Sequence, residues 1–232
     1  MGPDRSSRAA GFRYGVVFFV TFGLVVFAIS APDGAWARAV ALGLEGAALT
    51  VVVATSRARA QTRRARALAV GGAGSVVVAL VAADVLSREL VFALGGLLAA
   101  TILGALVLGV ARLITERGVT LRAVLGALTI YLYVGLLFAW VIAFVSAVDS
   151  TPYFEQPDVG QGDRVYFSFT TLTTTGFGDY TAATPLGHAL AVVEMLTGQL
   201  YLVTVIGVLV GGLAGRGGAA DRRGAADERE EV

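Results

Sequence analysis

Residues 173–179 read Thr-Thr-Thr-Gly-Phe-Gly-Asp and stand between two long apolar runs, 121–148 and 185–214. The segment is too polar and too rich in glycine to continue either run. Ahead of it lie a polar stretch, Asp149 to Asp163, and a short amphipathic run, Asp163 to Thr173. That run is too short to cross a hydrocarbon core, which takes about 20 apolar residues as helix. Non-helical backbone at membrane depth is tolerated only where protein buries it or where it lines a watery path. Gly176 and Gly178 occupy alternate positions, and glycine accepts positive φ at little cost.

Outward from this segment, the same length criterion gives six apolar runs: 14–30, 36–55, 67–86, 89–113, 121–148 and 185–214. Of the 232 residues 56% are hydrophobic and 15% charged, with a mean hydropathy of +0.75. Soluble domains usually carry about 25% charged residues, so the composition is that of an integral membrane protein. The run from Tyr14 to Ile29 follows Arg5, Arg8 and Arg13, as a signal peptide would. It is long enough to remain as a first span, and Pro32 makes Ser30-Ala31-Pro32 a poor cleavage site.

The absence of cysteine excludes disulfides, thiol catalysis and cysteine-ligated metal centres. A net charge of +1 gives no electrostatic case for nucleic acid. No nucleophile–base pair, metal-ligand cluster or phosphate loop stands out, so neither an enzyme nor a cofactor is expected. All 18 basic residues are arginine, and Ala, Gly and Val are abundant, which reads as a GC-rich bacterial genome.

Charge placement orients the runs, because short cytoplasmic loops are enriched in Lys and Arg. The loop 56–67 carries Arg57, Arg59, Arg63, Arg64 and Arg66 and is expected to be cytoplasmic. With six spans, both termini fall on that side together with Arg112, Arg117 and Arg122. The loop 149–163 is acidic, with Asp149, Glu155, Asp158 and Asp163, and falls on the outer side. The tail, 216–232, has few core-forming residues and is expected to be disordered.

Thr174-Thr175-Gly176-Phe177-Gly178-Asp179 resembles the pore signature of the potassium channel superfamily, in the Gly-Phe-Gly form common in two-pore-domain channels and many bacterial relatives. The resemblance extends over roughly Leu121 to Gly215, as outer helix, pore helix, filter and inner helix. It implies that the carbonyls of Thr174, Thr175, Gly176 and Phe177 coordinate K+, with Gly178 completing the strand and the Thr174 hydroxyl the innermost site. Asp179 would stand just outside, behind the filter. Gly198, 20 residues after Gly178, aligns with the hinge glycine of the simplest bacterial channels.

Phe177 lacks the hydroxyl of the more frequent tyrosine, and Phe167 is its expected apolar neighbour. Thr170 stands where some bacterial channels hold a carboxylate partner for the filter aspartate, leaving Tyr166 to reach Asp179. Glu194, one turn before Gly198, is expected to support the pore helix from behind. Gln199, Leu202 and Ile206 share a helical face by spacing, and the family analogy assigns that face to the cavity.

Voltage sensing needs arginine at every third residue of the fourth span, yet only Arg112 occurs between Glu89 and Leu113. Glu45 lies mid-span, where an ionised carboxylate costs about 2.5–3.5 kcal/mol on insertion scales. It needs a partner or a proton. Asp84 and Arg88 are expected to meet water or each other, and His188 lies near the outer start of the last span.

The sequence thus predicts an all-α membrane protein with six transmembrane helices and a re-entrant pore helix and filter between the fifth and sixth. It divides into a cytoplasmic N-terminus (1–13), a four-helix region (14–113), a pore domain (119–215) and the tail (216–232). The expected partners are K+, the lipid bilayer of the cell membrane and three further identical subunits, completing a homotetramer. A weakly selective cation channel and a non-conducting membrane scaffold are the alternatives.

Overall fold

The computed structural model describes residues 5–54, 71–72, 74–75 and 78–212. The arginine-rich loop 56–67 and the tail 216–232 lie outside the described residues, as does part of the run 67–86. The elements are α1 (Arg5–Ser30), α2 (Ala35–Ala54), α3 (Arg88–Arg117), α4 (Leu121–Val148), α5 (Gln161–Leu172) and α6 (Pro185–Leu200). A π-helical segment, Tyr201–Ile206, continues α6, and helix resumes to Gly212. Among the described residues there is no strand, only an isolated bridge between Phe154 and Ala182.

Local chemistry sets the helix ends. Ser87, Thr120 and Thr184 each take the N-cap position and accept from the backbone N–H three residues on, at Leu90, Ala123 and Gly187. Such caps satisfy donors that the first turn leaves orphaned. Pro185 then sits where its missing N–H costs nothing. Gly118 ends α3 at φ 67°, its N–H donating to Ile114 O at 2.8 Å.

Three helices among the described residues are long and apolar enough to cross a membrane: Arg88–Glu116, Leu121–Val148 and Pro185–Gly212. This is a membrane protein. The central helix is α4, which packs against α1, α3 and α5 and buries Tyr133, Leu136, Ala139, Trp140, Ile142 and Ala143. Two glycines make the close contacts possible. A Cβ on Gly95 would lie 2.6 Å from the Trp140 ring, and one on Gly135 2.7 Å from the Phe169 ring. Helix α3 thereby seats an α4 indole, and α4 seats a ring of α5.

Burial is uneven along the spans. Over their most apolar stretches, 56% of the α4 residues are buried within the chain but only 17% of those in the α6 helix. Leu196, Leu200, Val203 and Val208 are all exposed. Most of α6 therefore has no partner inside one chain.

Candidate ion pathway

The short helix α5 aims its C-terminus at the Thr/Gly segment. Two carboxylates hold its other end. Asp33, from the α1–α2 turn, accepts from Gln161 N at 2.7 Å, and Asp163 accepts from Gly160 N at 2.8 Å. Negative charge suits the positive end of the helix dipole. A Cβ on Gly162 would meet Ile29 O at 2.7 Å, so α1 lies hard against this first turn.

The last carbonyls of α5 start the segment. Thr173 N donates to Phe169 O, Thr174 N to Thr171 O at 2.9 Å, and both Thr175 N and Gly176 N to Thr170 O at 2.8 and 3.1 Å. Thr170 thus contributes its carbonyl, while its hydroxyl turns back to Phe167 O at 2.9 Å. The backbone then alternates. Thr174, Gly176 and Gly178 have φ of 57°, 51° and 78°, whereas Thr175 and Phe177 between them do not enter the positive region.

An ordinary strand points successive carbonyls to opposite sides. Alternating the hand of the backbone turns them toward one side, as a ring of carbonyl ligands requires. No atom lies within 4 Å of a Cβ placed on Gly176 or Gly178, so conformation rather than space demands glycine there. Thr174 has no such freedom, and a non-glycine residue in that region costs about 1–3 kcal/mol unless its surroundings hold it. Sequence reasoning anticipated the two glycines and missed this third position. Thr173 to Asp179 are all exposed within one chain.

An aromatic layer stands beside the segment. Tyr166 stacks on Phe177, with centroids 6.3 Å apart and planes within 6°. Phe167 instead packs edge-on to Tyr153 and Phe154 in the cluster beneath the outer loop. The expected Phe177 neighbour is therefore corrected: adjacent residues of a helix point about 100° apart, and Phe167 takes the direction toward Ile142 of α4. Hydrogen bonding to the Asp179 carboxylate holds the Tyr166 phenol above its ordinary pKa. Asp163 does the same for Tyr180.

Behind α5 sits a buried polar contact. Ser168 Oγ lies 2.7 Å from Gly135 O and 2.5 Å from Glu194 Oε1. Both side chains are fully buried. The contact joins α4, α5 and α6 at one hydroxyl.

Gly198 lies against the end of α5. A Cβ there would stand 2.0 Å from Leu172 O, so close approach requires glycine at the position where a hinge was expected. The irregularity in the helix comes three residues later, at Tyr201. There Tyr201 Oη donates to Ala127 O at 2.7 Å. Of the three expected cavity residues, Gln199 is exposed, but Leu202 and Ile206 are half-buried against α4. The 3.6-residue period behind their grouping fails across a π turn.

Other charged residues find local partners. Asp84 pairs with Arg38 at 3.6 Å rather than with Arg88. Asp149 caps Thr151 N at 2.9 Å, and Glu155 accepts from the Thr181 hydroxyl at 3.0 Å. His188 Nε2 lies 2.8 Å from Ala182 O. Glu45 is buried and accepts from Trp140 Nε1 at 2.9 Å. No group of three His, Cys, Asp or Glu able to hold a metal occurs among the described residues.

A capped short helix, a backbone of alternating hand and a long helix packed on its end thus adjoin one another. Residues 128–213 match the ion channel family. The match starts within α4 and takes in α5, the alternating segment and α6, leaving α1 to α3 outside it. No curated protein and no solved structure matches the chain.

Proposed function

We propose that four copies of this chain form a potassium-selective channel in the cell membrane, passing K+ down its gradient through one filter strand from each subunit. The observation that carries this reading is the alternation of positive φ at Thr174, Gly176 and Gly178 on a segment held by α5. It supports a ligand set made of the carbonyls of Thr174, Thr175, Gly176 and Phe177. Dehydrated K+ exchanges its water shell for such carbonyls.

Two further features support a fourfold assembly. The chain has one copy of the segment, and an axial site needs several. The segment and most of α6 are uncovered within one chain, where close packing by neighbours would bury them. In this reading α5 is a re-entrant pore helix between the fifth and sixth of six spans, and both chain ends are cytoplasmic. The α3 helix has no basic residue between Arg88 and Arg112, so the first four spans do not supply an arginine ladder for voltage sensing.

Purified protein in K+-loaded liposomes should accumulate external 86Rb+, driven by the outward K+ gradient, and Gly178→Ala should abolish that uptake. Flux that is absent from the wild type, or that survives Gly178→Ala unchanged, would overturn the proposal.

A further inference from the structure

Two cavities meet at the α1–α2 turn. The smaller, about 20 Å³, lies between α1, α2, α4 and α5 and reaches from exposed Asp33 to fully buried Glu45. The larger, about 540 Å³, is lined by exposed charged residues including Asp84, Arg88 and Asp158. Asp33, Gly34, Arg38 and Gln161 line both, so one opens toward the other.

Three buried polar atoms on residues lining the smaller cavity have no hydrogen-bond partner within the chain: Arg38 Nε, Gln161 Oε1 and Glu45 Oε2. Their chemistry is complementary, since the guanidinium donates, the amide oxygen accepts, and the carboxyl does either according to its proton. Each such atom left unpaired is destabilising, because its water of hydration is lost without replacement. A bridging water removes that cost, and a single water needs only about 10–15 Å³ of such space. The space accommodates about one or two waters at a time.

The far end of this cavity is a carboxyl with one donor, Trp140 Nε1, on its other oxygen. Among the lining residues the charged groups besides Glu45 are Asp33 and Arg38, both toward the turn. From α4, Tyr133 is the further titratable group whose hydroxyl feels Glu45. Helix α1 lines the cavity with Leu24, Phe27 and Ala28, α5 with Gln161 and Val165, and α3 contributes no lining residue.

We propose that the smaller cavity is a hydrated proton site, in which water entering at the α1–α2 turn exchanges the proton of Glu45. The O–H bond at Oε2 breaks, the proton passes to a cavity water, and it leaves past Gln161 and Arg38 to the solvent at the turn. Reprotonation reverses these steps. The charge on Glu45 is then felt by Trp140 of α4, which donates to its other oxygen.

Trp140 reports on the site without any need for conduction. The chain has two tryptophans, so Trp36→Phe leaves Trp140 alone. In the full chain with that substitution, in lipid nanodiscs, Trp140 emission should change reversibly with pH, and Glu45→Gln should abolish the change. Ala37→Leu, which fills the cavity near its mouth and leaves Glu45 in place, should slow the response to a rapid pH jump. An emission independent of pH, or a change that persists in Glu45→Gln, would overturn the proposal. So would an Ala37→Leu response as fast as that of the parent. If Ala37→Leu does not fold, the comparison of the parent with Glu45→Gln decides alone.

Discussion

Ser168 and Glu194 share a single hydrogen-bonding centre: the serine oxygen stands 2.7 Å from Gly135 O and 2.5 Å from Glu194 Oε1. A hydroxyl has one hydrogen to give. It cannot serve the carbonyl and an ionised carboxylate at once, so satisfying both contacts needs a second hydrogen, carried by Glu194. Glutamine supplies one through its amide. We expect Glu194→Gln to unfold close to the parent temperature, and Glu194→Ala to lose about 2–5 kcal/mol, because it vacates fully buried space and removes the contact to Ser168. Thermal unfolding in detergent measures both. Equal losses for the two variants would count against a shared hydrogen.

Gly198 gives a second test. A methyl group there would overlap Leu172 O at 2.0 Å, and backbone does not yield as a flexible side chain does. Gly198→Ala should destabilise the chain by about 1–3 kcal/mol through overpacking. Gly23, on α1, has nothing within 4 Å of its Cβ position. Gly23→Ala should be neutral or stabilise by up to about 1 kcal/mol, the helix preference for alanine. The two unfolding temperatures should therefore move apart.

Raising pH should weaken the contact between Tyr166 and Asp179. The carboxylate lifts the phenol pKa in the folded chain above the ordinary value of about 10. That contribution is complete below the unfolded pKa and is lost as pH rises through the folded one. In Tyr166→Phe this part of the alkaline decline in unfolding temperature should be missing. An identical alkaline profile for the two proteins would contradict the coupling.

These contacts differ in how far the sequence reveals them. Gly176 and Gly178 are legible because alternate glycines in a Thr-rich segment between apolar runs have few other uses. The bounds of α4 follow from apolar length, whereas α5 starts at Gln161, two residues before the expected Asp163, because Gly160 takes the cap and Asp163 bonds back to it from the third helical position. The role of Asp33 is illegible, since it caps Gln161 across 128 residues of chain and one aspartate in a short turn carries no sign of its partner. The direction of Phe167 is set by the Tyr153–Phe154 cluster, which only folding assembles. The faces of Leu202 and Ile206 depend on a π turn that no periodicity announces. Thr174 departs furthest from expectation, because threonine resists the conformation that its neighbours impose.

The position of Thr174 yields a further prediction. Glycine relieves its positive φ but removes the hydroxyl that the resemblance assigns to the innermost site. Thr174→Gly should leave stability unchanged or higher by about 1 kcal/mol, the usual scale of a left-handed penalty, while reducing K+ flux relative to Na+. Thr174→Ser keeps the hydroxyl and should retain selectivity. Paired liposome flux assays separate the two effects.

The central claim is that the segment from Thr174 to Gly178 selects K+, and the most direct measurement is the reversal potential of the purified chain in a planar bilayer with K+ on one side and Na+ on the other. With a low concentration of K+ also present on the Na+ side, the account predicts a reversal potential close to the K+ equilibrium potential, shifting toward zero as more K+ is added there. A reversal potential near zero under the initial gradient, or no single-channel current from correctly folded protein, would contradict it.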